Sequence, residues 1–497
     1  MKNHIITRVA LSAAAMAGCA TSLCALQKSG AQQKPDPRQR PNVLVVLTDQ
    51  QSWDMVSAIS GYPYLKTPNM DRLVKRGFSF TNAWCANPLS LPSRWAMITG
   101  ESTAGYDLQN NAAPESRKAE IQEVARTRSV GSLFRKAGYD TYYIGKTHLA
   151  WGNDRGETGD PVNYNFTLIT NDDRQKGAMA GAEFFRDHKA SKPFLIYVSL
   201  INPHDIGRDR IAFMDEPPKG DKNGLKGADA NTLKYKDRIA ELGNDFFMSE
   251  KSDPLPFNYG ATDTHPLSAL FKKTYGGYSD LEWKKYVWFY HRLVEQVDAE
   301  IGLVLDALDA SPYRDNTVVL FTSDHGDMAG AHHLAKKNIM YNECQRVPWI
   351  MAGPGVRNRI DRTTPVCNGW DMLPTLCSIA GIEKPKEIRG LSLWDYVTKG
   401  DALPARDYLY LESVNGFEII EQGRWAFLKY ELKGQPEVLF DLEKDPGQMH
   451  NLIDEEPFRA KADELRAILL KEVASRGITM TENRPFTLSG LVPKQNK

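Results

Sequence analysis

The stretch Ser90-Leu91-Pro92-Ser93-Arg94 places a hydroxyl, a proline and a guanidinium at a spacing that suits the binding of an anion. Proline fixes φ and is accepted in the first turn of a helix, so we expect the Ser90 hydroxyl at a helix N-terminus beside unpaired N–H groups. Arg94 follows one turn later on the same side, where a planar cation can bind the same anion. The alternative is a capped helix with an ordinary surface arginine.

Two strongly apolar runs each end in side chains that can ligate a cation. Asp49 and Gln50 follow the run 42–48, and the Asp324-His325 pair follows the run 317–323. Continuous, β-branched runs predict parallel strands buried on both faces, and ligands bind beyond the carboxyl ends of such strands. We therefore expect the two pairs to form the halves of one cation site.

Three further residues can bind an anion or protonate a leaving group. Lys146 and His148 follow the predicted strand 141–144, and residues two apart in an extended segment face the same side. A solvated strand end is the alternative for this pair. His204 follows the apolar strand 194–201, again at a carboxyl end.

Helices and strands alternate around these residues. Capping and amphipathic patterns predict helices over 67–77, with Gly77 as its closing residue, over 129–138, and over 281–308, whose apolar stripe faces the core. Between 207 and 282 the apolar periodicity fades. This predicts an insertion of long loops that covers the site and carries specificity.

The chain changes character beyond Leu393, where short strand patterns predict a small antiparallel sheet with a helix. We therefore predict a catalytic domain over 41–395 and a C-terminal subdomain over 396–497. The elements predicted in the subdomain are strands at 408–411, 425–430 and 437–441 and a helix at 457–476.

Composition limits the partners of the chain. Lys and Arg total 62 against 62 Asp and Glu, so no global field favours nucleic acid or an anionic membrane, and any affinity for an anion must be local. The cysteines beyond the N-terminal region are widely spaced and contain no C-x-x-C pattern, which gives a zinc or disulfide framework little support. Cys367 and Cys377 are the one pair considered for a disulfide, with buried free thiols as the alternative.

The N-terminal region is typical of export. Positive charge at the start precedes a short apolar run at 9–17, which predicts a signal peptide over 1–25 rather than a transmembrane span. Cys19 lies in a candidate lipoprotein box, with ordinary signal cleavage as the alternative. Residues 26–40 predict a flexible linker. We expect a periplasmic protein or an outer-membrane lipoprotein.

Taken in order, these motifs resemble those of the formylglycine-dependent sulfatases, in which a Cys or Ser opens a C/S-x-P-S-R run. Ser90 makes this chain similar to the serine type. The resemblance implies an alkaline-phosphatase-like α/β fold, with a mixed, mostly parallel sheet flanked by helices and a small C-terminal α+β subdomain. The other matching motifs are Gly145-Lys146-x-His148, Pro203-His204, Ser323-Asp324-His325-Gly326, Lys337 four residues before Tyr341, and Leu439-Phe440-Asp441-Leu442-x-x-Asp445-Pro446.

The resemblance also implies a chemistry, the hydrolysis of a sulfate ester of a sulfated saccharide. A serine-type maturase would oxidise Ser90 to formylglycine, whose hydrate attacks sulfur with one hydroxyl and expels sulfate when the other is deprotonated. The cation would be calcium, with magnesium as the alternative. The implied metal ligands are Asp49, Gln50, Ser90, Asp324 and His325. The implied sulfate-binding cations are Arg94, Lys146 and Lys337, and His148 or His204 would protonate the leaving oxygen.

The sequence departs from the pattern of the family at two places and leaves two alternative functions open. Gln50 stands where the family often has a second acid, and Asp205-Ile206 replaces the usual proline after His204. A phosphomonoester or phosphonate ester hydrolase would use a similar site, although it would not need the Pro-Ser-Arg run. The alternative from another class is an inactive protein that binds sulfated glycans.

Overall fold

The computed structural model describes residues 40–151, 160–207, 230–261, 264–275, 277–482 and 484. The predicted signal peptide, Cys19 and all of the predicted linker except Arg40 lie outside these residues. None of the helices in the described part is both long and apolar enough to cross a membrane.

Strands and α-helices alternate along most of the described chain. The strands are β1 (Asn42–Asp49), β2 (Gly77–Phe80), β3 (Ala83–Trp84), β4 (Asp140–Gly145), β5 (Thr167–Thr170), β6 (Phe194–Pro203), β7 (Thr317–Ser323), β8 (Trp349–Ala352), β9 (Arg359–Asp361), β10 (Val366–Cys367), β11 (Tyr408–Glu412), β12 (Gly416–Glu421), β13 (Trp425–Tyr430) and β14 (Glu437–Asp441). The α-helices are α1 (Ser57–Ser60), α2 (Pro68–Arg76), α3 (Ser90–Thr99), α4 (Lys118–Arg128), α5 (Val130–Lys136), α6 (Gln175–Asp187), α7 (Ala230–Met248), α8 (Ser268–Tyr275), α9 (Asp280–Ala310), α10 (Asn342–Gln345), α11 (Asn368–Ile379), α12 (Trp394–Thr398) and α13 (Arg459–Ser475).

An eight-stranded sheet with the order β5-β4-β6-β1-β7-β8-β2-β9 holds the centre of the fold. Strand β8 runs antiparallel to both of its neighbours, and the other neighbouring pairs are parallel. This is the mixed, mostly parallel sheet expected from the motifs. Strand β1 lies between β6 and β7, so its carboxyl end meets theirs at one edge of the sheet.

The residues of β1 are buried on both faces, as its continuous apolar run predicts. Leu44 and Val46 pack into the core that contains α2, α6 and α9. Val43, Val45 and Leu47 pack into the core that contains α3, α4, α5 and α11. The alternation of side chains along the strand thus joins the two layers of helices to one sheet.

Strands β11 to β14 form a separate antiparallel sheet, and α13 packs on β12 and β13. The small sheet with a helix is confirmed. The predicted domain boundary at 395 stays a prediction, because both parts belong to one compact unit. Strand β12 is absent from the sequence prediction. Its run is interrupted by Glu418, which is buried and accepts a hydrogen bond from Gln345.

The insertion contains helices, so the prediction of long loops alone is wrong for its described part. Helices α7 and α8 lie between 230 and 275, whereas 208–229 lie outside the described residues. Ile239, Phe247 and Phe271 are buried in the core of α9. Gly243 interrupts α7 with a φ of 73°, which hides the helical period from a sequence reading.

The structure also decides two local predictions. Helix α2 ends at Arg76 with Gly77 as its C-cap, so the predicted closing residue is confirmed; this glycine is extended, with φ −141°, and begins β2. Glycine is required there because a Cβ would lie 2.2 Å from the carbonyl oxygen of Met351 on β8. Cys367 and Cys377 are free and buried, so the alternative of free thiols is the correct one.

Candidate active site

Helix α3 begins at Ser90, where the sequence pattern predicts a helix start. Leu89 is extended, and its carbonyl accepts the N–H of Ser93 at 2.9 Å, which closes the first turn. The hydroxyl of Ser93 donates to the carbonyl of Asp324 at 2.5 Å. The start of α3 is therefore fixed to the chain that leaves β7, and the whole helix is buried.

The Ser90 hydroxyl lies between an imidazole and an ammonium group. Its Oγ is 3.0 Å from Nε2 of His325 and accepts a hydrogen bond from Nζ of Lys337 at 3.2 Å. Nδ1 of His325 is 2.9 Å from the carbonyl oxygen of Gly326, so Nδ1 carries the proton and Nε2 carries the lone pair. Burial holds the pKa of His325 well below its ordinary value, which keeps the ring neutral and Nε2 available as a ligand.

Asp49, Asp324 and His325 form a buried group whose ligand atoms all lie within 4.8 Å of one another. Strands β1 and β7 bring them together, because Thr48 pairs with Ser323 at the ends of the two strands. Oδ1 of Asp49 accepts no hydrogen bond from the described residues. A buried carboxylate oxygen without a donor is costly unless a cation binds it, so these residues fit a divalent cation.

The two carboxylates of this group are shifted in opposite directions. Burial raises the pKa of Asp49, but the positive charge of Lys146 and of neighbouring cations outweighs burial and holds this pKa well below its ordinary value. Burial and the charge of Asp49 raise the pKa of Asp324, against the lowering effect of Arg94. A bound divalent cation would neutralise both carboxylates and remove this conflict.

Gln50 is held in an orientation that leaves its amide oxygen for a ligand. Its φ is 72°, its backbone N–H donates to Oδ1 of Asp324 at 3.0 Å, and its Nε2 donates to Oδ2 of Asp327 at 2.5 Å. The hydroxyl of Tyr290 donates to its backbone carbonyl at 2.8 Å. Because Asp327 binds the amide nitrogen, the amide oxygen is the end that suits the predicted metal role.

Arg94 binds the carboxylates of Asp49 and Asp324, whereas the sequence predicts that it binds an anion directly. Its Nε donates to Oδ2 of Asp324 at 2.9 Å and its Nη2 donates to Oδ2 of Asp49 at 2.9 Å. Its Nη1 donates to the carbonyl of Lys146 at 2.9 Å and to the hydroxyl of Ser199 at 2.8 Å. The guanidinium therefore fixes two candidate metal ligands, and these bonds leave it to act on an anion mainly through its charge.

Lys146 and Lys337 lie on either side of the Asp49 carboxylate. Nζ of Lys146 is 2.5 Å from Oδ2, and Nζ of Lys337 is 3.8 Å from Oδ1. Their side chains are 12% and 13% exposed, so a small anion can still reach both. Burial lowers the pKa of Lys337 to about 8, which leaves it mostly protonated near neutral pH.

His148 and His204 complete the set of residues expected at the site. His148 has φ 42°, so the alternation expected of an extended segment does not continue from β4 to this residue. Burial and the positive charges of Lys146 and Arg94 hold its pKa well below the ordinary value. His204 begins a short 3-10 turn after β6, and a proton on its ring would lower the pKa of Asp49.

Two residues near the site are absent from the sequence analysis. Asp327 is buried and accepts hydrogen bonds from the Gln50 amide and, at 3.0 Å, from the hydroxyl of Tyr286. Its position directly after Gly326 is the signal that was available. Ser199 receives a bond from Arg94 in the middle of β6, where nothing in the apolar run distinguishes it.

Two family models match the chain. The model described as Sulfatase matches residues 41–382, and the model described as N-sulphoglucosamine sulphohydrolase, C-terminal, matches residues 330–475. The chain therefore belongs to the sulfatase family, and its reaction is the hydrolysis of a sulfate ester. The resemblance to the sulfatase family is confirmed, and the assignment to the serine type stays a prediction.

Relatives and solved structures agree with this assignment. The chain is 28% identical over 456 residues to the Delta 4,5-hexuronate-2-O-sulfatase of Bacteroides thetaiotaomicron. The alignment covers 87% of this chain and 88% of the relative. A structure solved with its substrate D-glucosamine-2-N,6-O-disulfate has a TM-score of 0.64 and 22% identity, covering 88% of this chain and 98% of the other. The phosphonate monoester hydrolase of Agrobacterium radiobacter has a TM-score of 0.67 and 20% identity, covering 88% and 96%. These structures show the fold alone, and the predicted alkaline-phosphatase-like fold is confirmed.

Proposed function

We propose that this sulfatase removes sulfate from a sulfated carbohydrate through a formylglycine formed from Ser90 by a serine-type maturase. The position of Ser90 carries the proposal. Its Oγ lies at the buried start of α3, 3.0 Å from Nε2 of His325 and 3.2 Å from Nζ of Lys337. A modified residue there would lie beside the candidate cation ligands and beside a positive charge that can bind sulfate oxygens.

The carbohydrate substrate is supported by what the similar proteins act on. One relative is a hexuronate 2-O-sulfatase, and one structural neighbour was solved with a sulfated glucosamine. The particular sugar and the sulfated position are left open. The insertion and the C-terminal sheet are the parts that we expect to select them.

The cation that we propose is calcium, with magnesium as the alternative. The ligands would be Asp49, Gln50, Asp324 and His325, with the modified Ser90 as the fifth. A donor set made mostly of oxygens suits a hard cation. When bound, the cation would lower the pKa of the attacking hydroxyl and offset the charge of the sulfate.

The formylglycine hydrate would supply one hydroxyl for attack on sulfur and a second whose deprotonation expels sulfate and restores the aldehyde. Lys146 and Lys337 would bind the sulfate oxygens, because both ammonium groups are partly exposed beside Asp49. Arg94 would hold Asp49 and Asp324 in the geometry that they need. These residues neutralise the anion before attack.

A histidine must then protonate the departing sugar oxygen, because a sugar alkoxide is a poor leaving group. The candidates are His148 and His204. Burial and nearby positive charges hold the pKa of His148 well below its ordinary value, so near neutral pH its ring is mostly unprotonated and cannot act as an acid. We therefore favour His204 as the general acid.

We also propose that the protein is exported, to the periplasm or, if Cys19 is lipidated, to the outer membrane. The charged start and the short apolar run at 9–17 support this. The phosphomonoester, phosphonate and binding-only alternatives are less favoured. The match to the sulfatase family covers 41–382, and all the site residues that the resemblance implies are present.

The modification can be tested on the Ser90 peptide. Protein made anaerobically with a serine-type maturase should lose two hydrogens at Ser90 in mass spectrometry, and only this protein should release sulfate from a panel of defined sulfated saccharides. Ser90→Ala should keep the thermal unfolding temperature of the parent but release no sulfate. Full activity with an unmodified Ser90 would overturn the proposal.

A further inference from the structure

The residue after His204 is an aspartate whose side chain is almost fully buried. Asp205 is 2% exposed, yet it follows directly after a candidate general acid at the edge of the site. The contacts that fix Asp205 therefore also bear on the position of its neighbour His204.

Arg174 binds the Asp205 carboxylate from the start of α6. Its Nε donates to Oδ2 of Asp205 at 3.2 Å, and its Nη2 donates to Oδ1 at 2.9 Å. Both oxygens of the carboxylate are thus bound by one planar guanidinium. A two-pronged pair of this kind fixes orientation as well as distance, which a lysine cannot do.

The segment that carries Arg174 is itself joined to the end of β6. The backbone N–H of Ile201 donates to the carbonyl of Asp173 at 2.8 Å. Oδ1 of Asp172 accepts the N–H of Arg174 at 3.1 Å and the N–H of Gly177 at 3.2 Å, which orders the turn before α6. Arg174 is therefore held by the same framework that ends at His204.

On the other side of the ion pair, the backbone of Asp205 is also bound. Its N–H donates to Oδ1 of Asn202 at 3.3 Å, across the turn that contains Pro203 and His204. His204 thus lies between β6 and a residue fixed through both its backbone and its side chain. A general acid must be placed to within fractions of an ångström, because a misplacement of about 1 Å can cost roughly 100-fold in rate.

We propose that the Arg174–Asp205 ion pair positions His204 for proton transfer to the leaving oxygen. This inference rests on the proposed role of His204 as general acid. Arg174 is a positioning residue, since it acts through Asp205 and the backbone. Its loss should weaken general-acid catalysis without changing the binding of sulfate.

The chain offers a matched control in Arg424 and Asp441. Arg424 donates from Nε at 3.1 Å and from Nη2 at 2.8 Å to the two oxygens of Asp441. The aspartate side chain is 3% exposed in both pairs, and the arginines are 28% and 40% exposed. Arg424 lies between β12 and β13 of the C-terminal sheet, so its loss removes the same kind of ion pair away from His204.

The experiment compares kcat/KM for 4-nitrophenyl sulfate, whose leaving group needs little protonation, and for the sulfated monosaccharide that the parent hydrolyses fastest. His204→Ala should lower the saccharide rate by about 100-fold or more relative to the nitrophenyl rate. Arg174→Gln should lower the same ratio by about 10-fold or more. Arg174→Lys should resemble Arg174→Gln, because lysine keeps the charge but not the two-pronged contact. Arg424→Gln should leave the ratio within about 2-fold of the parent, and thermal unfolding of all variants should be followed in parallel.

The outcomes separate the two hypotheses. If His204→Ala lowers both rates equally, His204 is not the general acid and the inference falls with it. If His204→Ala changes the ratio but Arg174→Gln does not, the proposed function stands and the positioning role is wrong. If Arg174→Gln and Arg424→Gln both lower the two rates together in step with their unfolding temperatures, the Arg174 pair is only structural and the inference is again overturned.

Discussion

At the scale of residues, Asp49 is surrounded by three positive side chains that have different tasks. Arg94 binds Asp49 and Asp324 at 2.9 Å each, so it is fixed to the metal ligands. Lys337 lies 3.8 Å from Asp49 but donates to the Ser90 hydroxyl, so it is directed toward the reacting position. The removal of Arg94 and the removal of Lys337 should therefore have different effects on the enzyme.

We predict that Arg94→Ala loses both the bound metal ion and turnover. Lys337→Ala should keep the metal ion but lower turnover by about 100-fold, on nitrophenyl and saccharide substrates alike. Metal analysis of the purified variants, beside kinetics on both substrates, checks this. The parent should contain stoichiometric calcium or magnesium. Arg94→Ala with a full complement of metal, or a parent that needs stoichiometric zinc, would contradict the assignment of ligands.

The identities of these residues follow from the sequence, but their contacts do not. Helical spacing places Arg94 on the side of Ser90, and strand ends predict Asp49 and Asp324 at one edge of the sheet. The spacing of residues within one helix does not predict how close that helix lies to strands that are remote in the chain. The sequence therefore indicates an arginine facing an anion, while the fold brings two carboxylates to it.

At the scale of elements, continuous apolar runs are the most reliable guide in this chain. They predict β1 and β7 almost residue by residue, because both faces of a central parallel strand are buried. Strand β12 and helices α7 and α8 are missed. In these elements a buried glutamate, an internal glycine and charged surface positions interrupt the period, and tertiary contacts decide the structure.

Gly77 shows how close packing between elements constrains one residue. Its backbone is extended, so any residue could adopt the conformation, but a Cβ would lie 2.2 Å from the carbonyl oxygen of Met351 and 2.9 Å from that of Leu73. We predict that Gly77→Ala lowers the free energy of unfolding by about 1 to 3 kcal/mol, because β2 and β8 must separate. Gly260 has no atom within 4 Å of a Cβ, so Gly260→Ala should change stability by less than about 0.5 kcal/mol in the same urea titration. Equal effects of the two substitutions would contradict this account.

At the scale of the whole molecule, a buried histidine links three distant parts of the chain. The ring of His265, from the insertion, lies 5.0 Å from the ring of Tyr341 and 5.0 Å from that of Tyr430 on β13. The backbone N–H of Leu267 donates to Nδ1 at 3.4 Å, so Nε2 carries the proton and donates to the hydroxyl of Tyr430. This contact crosses the predicted boundary at 395, which favours unfolding of the two parts together.

The environment of His265 makes the stability of this assembly depend on pH. Burial, with a smaller contribution from His332, lowers the pKa of His265 to about 3, whereas in the unfolded chain it returns to about 6.5. Above the unfolded pKa both states are neutral and the stabilising contacts are fully present. As the pH falls below 6.5, His265 becomes protonated in the unfolded state but stays neutral in the folded state. The free energy of unfolding therefore decreases until the pH reaches about 3.

We predict that the stability advantage of the parent over His265→Gln shrinks by about 3 kcal/mol between pH 7 and pH 4.5, because glutamine does not titrate and the other groups cancel in the comparison. Urea unfolding of both proteins at the two pH values, followed by tryptophan fluorescence, measures this difference directly. The parent should be the more stable protein at pH 7, since it keeps the bond to Tyr430 and the ring contact with Tyr341. Parallel pH dependence of the two proteins would show that His265 is protonated in the folded state, or that its surroundings admit water, and would remove the coupling that we assign to it.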